Sequence, residues 1–139
     1  MSTVHTIEVY VRFSETDAAG HVNNTSHFLY LDEARSKFFK QLGIGEAPED
    51  ATFNLILAST TCDYLAQAYA AEILNVTTTV SKIGTKSFTL YQEITNKETG
   101  ITIAKSTATL VCFNYVEQKT VPIPPELRER LQQMSVKSV

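Results

Sequence analysis

The sequence predicts an α+β fold in which an antiparallel sheet wraps around one long central helix. A period-two segment near the N-terminus, one long helical stretch directly after it, and four β-rich runs separated by turns point that way. Ile7, Val9, Val11 and Phe13 alternate with Glu8, Tyr10, Arg12 and Ser14, the pattern of a half-buried strand. The chain then turns through Ala18-Ala19-Gly20. From about Thr25 to Leu42 the period lengthens: Phe28, Leu31, Ala34, Phe38 and Leu42 return to one side at steps of three or four. Asn23, Asn24 and Thr25 are suitable N-caps and Gly43 a natural stop. Such a helix is about 27 Å long at 1.5 Å per residue, enough to lie across a curved sheet.

Gly43 to Thr52 reads as a polar loop around Pro48. The β-rich runs follow: Asn54 to Tyr69, Glu72 to Ile83, Ser87 to Thr95, and Ile101 to Val116. In the last, Thr107, Thr109, Val111, Phe113 and Tyr115 share one face, with Ala104, Ala108 and Leu110 on the other. Gly84 and Gly100 are expected to supply positive φ in the turns. Pro122, Pro124 and Pro125 end the sheet, and Pro125 opens a short helix from Glu126 to about Met134. Tight turns imply antiparallel neighbours, and one long helix must bury its stripe against the sheet.

Composition sets the class. At 139 residues, with no repeats, low-complexity tracts or linkers, the chain reads as one domain spanning residues 1–139. A net charge of −3 offers no basic footprint for nucleic acid. No apolar run approaches the roughly 18 residues that span a bilayer, and Met1 to Glu8 lacks the pattern of a signal peptide. Cys62 and Cys112 lie far apart in predicted strands, so they read as buried free thiols. A cytoplasmic protein without membrane or nucleic-acid partners is expected.

The chemistry concentrates in Asp17-Ala18-Ala19-Gly20-His21-Val22-Asn23-Asn24, between the first strand and the long helix. An acid and an imidazole sit where the helix start leaves backbone N–H groups unpaired, and such donors favour anions, a developing oxyanion included. That corner is a candidate for attack on a carbonyl.

The same residues, in the longer run from Val11 to Asn24 followed by Tyr30-Leu31-Asp32-Glu33-Ala34-Arg35, resemble the hotdog-fold acyl-CoA thioesterases of the 4-hydroxybenzoyl-CoA thioesterase type. Lys82-Ile83-Gly84-Thr85-Lys86-Ser87-Phe88 looks like that family's turn between its third and fourth strands. The likeness covers nearly the whole chain in order. It implies a hotdog fold, a homodimer often paired into a homotetramer, and active sites at the subunit interface. The implied substrate is an acyl group thioester-linked to coenzyme A, or less often to acyl carrier protein, with no cofactor beyond the coenzyme A of the substrate. The family's carboxylate matches Asp17, and its carbonyl-polarising amide falls at Asn24 or Thr25. Plant acyl-ACP thioesterases are similar here, with an acid, Asn two residues on and His four residues on. This chain keeps Asp17 and His21 but has Ala19 in the middle, which speaks against a mechanism of that type.

Each candidate also has a structural reading. Asp17 suits a turn or helix cap as well as catalysis. As a base, an ordinary aspartate near pKa 3.9 is weak at neutral pH, so nucleophilic attack, or a pKa raised by burial, is the alternative to simple water activation. His21 either bonds Asp17 or substrate, or serves the turn. His5 and His27 are read as structural, and Asp17, His21 and His27 as a poor metal set. Ser59, Thr60 and Thr61 lie on the strand that, in this fold, faces the partner's site; they are water-positioning groups or plain strand residues. Gly20 and Thr25 flank the motif as substrate contacts. Lys82, Lys86 and Ser87 are solvated turn residues or contacts for the phosphates of coenzyme A. Phe38, Phe39, Phe53 and Tyr64 line an acyl pocket or fill the core. Alternatives to thioester hydrolysis are a hotdog-type enoyl thioester hydratase or dehydratase and a non-catalytic acyl-thioester-binding module. The first needs a His–acid pair deeper on the helix, where this chain has Asp32 and Glu33 but no His beyond His27.

Overall fold

The computed structural model describes residues 4–44 and 53–135. Strand β1 (His5–Tyr10) is followed by a short 3-10 turn (Phe13–Glu15), helix α1 (Ser26–Gln41), and strands β2 (Asn54–Tyr64), β3 (Ile73–Ile83), β4 (Ser87–Asn96), β5 (Thr102–Asn114) and β6 (Lys119–Thr120). Helix α2 (Pro125–Gln133) comes last, with Pro125 in its first turn as expected. The predicted loop around Pro48 lies outside the described residues except for Gly43 and Ile44.

All strand pairs are antiparallel, and the sheet runs β1-β3-β4-β5-β2, with β6 appended to β5. The β3–β4 and β4–β5 connections are the hairpins expected from the turns. β2 and β3 are not joined as a hairpin, contrary to a reading of four strands in series. Among the described strands β2 pairs only with β5 and forms one edge, while β1 pairs with β3 and forms the other. Register shifts at Leu57/Ser59 in β2 and Val80/Lys82 in β3 add local twist, which helps the sheet curl around α1.

The helix stripe is as predicted. Leu31, Ala34, Phe38 and Leu42 are buried, and Phe28 packs against the same core. The N-terminal half of α1 covers a cluster containing Val9, Val11, Leu74, Val76, Ile94 and Ala104. Phe38 and Leu42 belong to a second cluster with Phe88, Leu90, Leu110 and Cys112, which α2 closes with Leu127 and Leu131. At mid-helix, Gln92 is wholly buried. Its amide donates to the Leu31 carbonyl and the Thr78 hydroxyl, each at 3.1 Å, and its oxygen accepts from Arg35 Nη1 at 3.1 Å. Every polar end of Gln92 is thereby met, the condition for keeping an amide in a core.

Three local expectations change. β1 stops at Tyr10, because Arg12 N–H donates to Glu15 Oε1 and folds the next residues into the 3-10 turn; Phe13 is consequently 84% exposed rather than on the buried face. β2 stops at Tyr64, since Leu65 and Ala66 N–H both turn to the Ile103 carbonyl. Gly100 has φ +76 and Gly43 φ +77, but Gly84 is not left-handed; a side chain there would press within 3.1 Å of the Ser87 carbonyl, so the constraint at Gly84 is space. Both thiols are free, Cys112 buried and Cys62 half-buried.

Candidate active site

The path from β1 to α1 is built by backbone pairing. Val11 N–H donates to the Glu72 carbonyl, and Ala71 N–H donates back to Val11. Glu15 then anchors the corner to the helix: its Oε1 accepts from Arg12 N–H and from the Tyr30 hydroxyl, both at 2.9 Å, and Oε2 pairs with Arg12 Nη1 at 3.2 Å. Partial burial would raise the Glu15 carboxyl, but these donors together hold it below the ordinary range. The same bond and burial push the Tyr30 phenol up.

Asp17 opens a tight turn. Its carbonyl accepts from Gly20 N–H at 3.0 Å, Gly20 sits at φ +90, and Asp17 Oδ1 accepts from Ala19 N–H at 2.9 Å. His21 and Val22 then run extended, paired across to Tyr69, Ala68 and Thr16. This brings His21 Nδ1 to 3.4 Å from Asp17 Oδ2, with the two side chains about one-third exposed (29% and 36%).

Asn23 starts the helix. Its Oδ1 accepts from both Thr25 N–H (3.0 Å) and Thr25 Oγ1 (2.9 Å), so the capping side chain lies earlier than Thr25, whose backbone is already helical. The Thr25 N–H is therefore committed. Among the described residues the Asn24 N–H has no acceptor, which leaves it as an unspent donor at this corner. The Asn24 carbonyl accepts from the Tyr64 hydroxyl at 2.7 Å, tying the helix start to the end of β2.

Asp17, His21 and Asn24 line one cleft of about 440 Å³, with His27, Tyr64 and the segment Leu65–Gln67 as its other walls. Three residues read from sequence as one chemical unit are thus brought together. Gly20 stays beside it in the turn, and Thr25 stays beside it as the residue bonded to the Asn23 cap. Ser59 and Thr60 lie farther back on β2, where Thr60 Oγ1 bonds the Thr107 carbonyl at 3.1 Å. Lys82, Lys86 and Ser87 stand at the β3–β4 hairpin. β3 pairs with Tyr10 at its start and reaches that hairpin at its other end, ten residue steps or about 33 Å of strand later at 3.3 Å per step. The aromatic candidates divide: Phe38 is core, Phe53 packs on the core, and Tyr64 lines the cleft. Phe39 borders a larger hollow of about 720 Å³ farther along the same α1–β2 trough, with Asp32, Arg35, Leu55 and Leu57.

The reading of His27 as structural missed its place in the cleft. The signal was its spacing: four residues after Asn23, a helical side chain reaches back to that residue's carbonyl, and His27 Nδ1 lies 3.1 Å from Asn23 O.

Residues 11–131 match the model of the thioesterase-like superfamily. The chain belongs to that superfamily. Escherichia coli FadM, a long-chain acyl-CoA thioesterase, is 28% identical over 91% of this chain and 96% of its own. Bacillus subtilis YsmA, of uncharacterized function, is 40% identical over 60% of this chain, and the matched part is 56% of YsmA's length. The solved structure of a predicted thioesterase from Bacillus stearothermophilus superposes with a TM-score of 0.85 at 28% identity, covering 98% of this chain and 99% of that one. The sheet wrapped on a single long helix is accordingly the hotdog fold expected from the corner motif. Among the described residues no helix is long and apolar enough to cross a membrane.

Proposed function

We propose that this thioesterase-family protein hydrolyses acyl-CoA thioesters to free acid and coenzyme A, with Asp17 as the catalytic carboxylate and the Asn24 N–H as the oxyanion donor. The observation that carries the reading is that an ionisable carboxylate and an unspent helix-start N–H line one cleft. Water attacks the thioester carbon as Asp17 accepts its proton. The carbonyl oxygen gains the negative charge beside the Asn24 N–H and the positive end of α1. Collapse breaks the carbon–sulfur bond, and the departing thiolate takes up a proton. A donor of this kind contributes about 10²–10³ in rate. His21, 3.4 Å from Asp17, orients the carboxylate. Label from heavy-oxygen water appearing in Asp17 under single turnover would replace water activation by direct attack.

The acyl chain runs along the α1–β2 trough toward the hollow at Phe39. The protein acts as a homodimer, or a homotetramer built from two. β2 is paired on one side only among the described strands, and eleven residues of open edge are a template for a second copy. In that assembly Ser59 and Thr60 approach the partner's site, and Lys82, Lys86 and Ser87 reach the coenzyme phosphates there rather than along the length of their own strand. The cytoplasm, where acyl-CoA is available, is the expected location.

Thiol release from short, long and aromatic acyl-CoAs, with Asp17→Ala beside wild type, tests the assignment. Wild-type turnover by the variant overturns the role of Asp17. Hydration of crotonyl-CoA without thiol release would instead make this a hydratase, and binding without either reaction a carrier module.

A further inference from the structure

We infer that His27 is a positioning residue for the oxyanion donor, its imidazole holding the peptide unit that joins the Asn23 carbonyl to the Asn24 N–H. This rests on the role of Asn24 proposed above. His27 is only 5% exposed, yet it borders the cleft alongside Asp17 and Asn24. Its Nδ1 lies 3.1 Å from Asn23 O, and Ser26 N–H donates to that same oxygen at 2.8 Å. A carbonyl only accepts, so Nδ1 carries the proton of the neutral ring.

The peptide bond is planar, so an oxygen fixed by two donors fixes the direction of the N–H on the far side of the same plane. Loading the oxygen also polarises the amide, which makes its N–H a stronger donor. The ring itself is braced edge-on by Tyr64, with centroids 4.8 Å apart and planes at 71°. Tyr64 in turn donates to the Asn24 carbonyl, and Asn23 Oδ1 takes the Thr25 N–H, so the next peptide unit is also pinned. Among the described residues, His27 is the side chain that pins the Asn23–Asn24 unit. Burial outweighs the backbone contacts to Asn23 and Asn24 and keeps the ring below its ordinary pKa, so it is neutral at pH 7.

The test compares His27→Phe, which keeps an aromatic ring and loses the donor, with His27→Asn, whose amide nitrogen stands where Nδ1 stood. On any acyl-CoA that wild type hydrolyses, His27→Phe should lose about tenfold or more in kcat, with KM changed by less than about twofold, and His27→Asn should recover most of the loss. The amide ¹⁵N resonance of Asn24 should move upfield in His27→Phe and return in His27→Asn. His27→Leu serves the same comparison if the Phe variant does not fold. Wild-type kcat in the donor-less variant, an Asn variant as slow as the Phe one, or an unmoved Asn24 resonance overturns the inference. If wild type releases no thiol from any acyl-CoA, the proposed function fails by itself, while the resonance still decides the coupling between His27 and Asn24.

Discussion

Replacing Asp17 by Asn separates the chemistry of this corner from its architecture. The turn is held by Asp17 Oδ1 accepting from Ala19 N–H at 2.9 Å and by backbone bonds to Gly20 and His21. An asparagine oxygen accepts equally well, so these survive. What disappears is one negative charge and one proton acceptor. The contact with His21 is long, at 3.4 Å, and both side chains are about one-third exposed, so its loss costs about 0–1 kcal/mol. The rate changes far more. Removing a general base costs about 10²–10⁴, which is about 2.7–5.5 kcal/mol of transition-state stabilisation at 1.36 kcal/mol per decade. Thiol release should therefore fall at least a hundredfold while the thermal midpoint moves by only a few degrees. A variant with wild-type midpoint and turnover within about tenfold of wild type would refute the assignment of Asp17. Asp17→Ala should match that rate loss and destabilise further, because the Ala19 N–H loses its acceptor.

Four further outcomes are expected. Arg35→Met leaves the buried Gln92 oxygen without its recorded partner and should cost about 1–3 kcal/mol in urea unfolding, less if Gln92 repacks. Phe38→Ala, at a 1% exposed position between helix and sheet, should cost about 3–5 kcal/mol by the same measure. Because His27 is held below its ordinary pKa in the folded state, the unfolded chain binds the proton first, so stability present above about pH 6.5 is lost as pH falls through the folded value. Half-buried His5 shifts the same way, so His27→Asn should flatten part of that slope and His27→Asn with His5→Asn more of it. Glu15, also lowered, adds a second loss below its unfolded value of 4.5, which Glu15→Gln should remove in acid titration of unfolding.

Much of this was legible because it is periodic or local. The stripe Leu31, Ala34, Phe38 and Leu42 and the two faces of β5 follow from 3.6- and two-residue repeats that a core imposes on any amphipathic element. The Asp17–Asn24 corner was legible because turn and cap chemistry act over a few residues: Asp17 bonds Ala19, and Asn23 bonds Thr25. Phe13 escaped because alternation continues in the letters after the backbone has turned, and the Glu15 side chain that turns it is a competing acceptor. His27 escaped for a different reason: it looks like a core residue until its carbonyl partner is seen. Tyr64 was open between pocket wall and core, because its bond to the Asn24 carbonyl comes from forty residues away.

The order of letters alone determined that one helix would bury a stripe against an antiparallel sheet, and that an acid, an imidazole and a helix start would lie together. Those features rest on neighbours within a turn or two of chain. Which strands sit side by side, that β2 is sent to the far edge, and that its Tyr64 returns to hold the Asn24 carbonyl were decided only by the tertiary structure. Pairing partners are selected by how whole faces fit around α1, and no short window of sequence contains that competition.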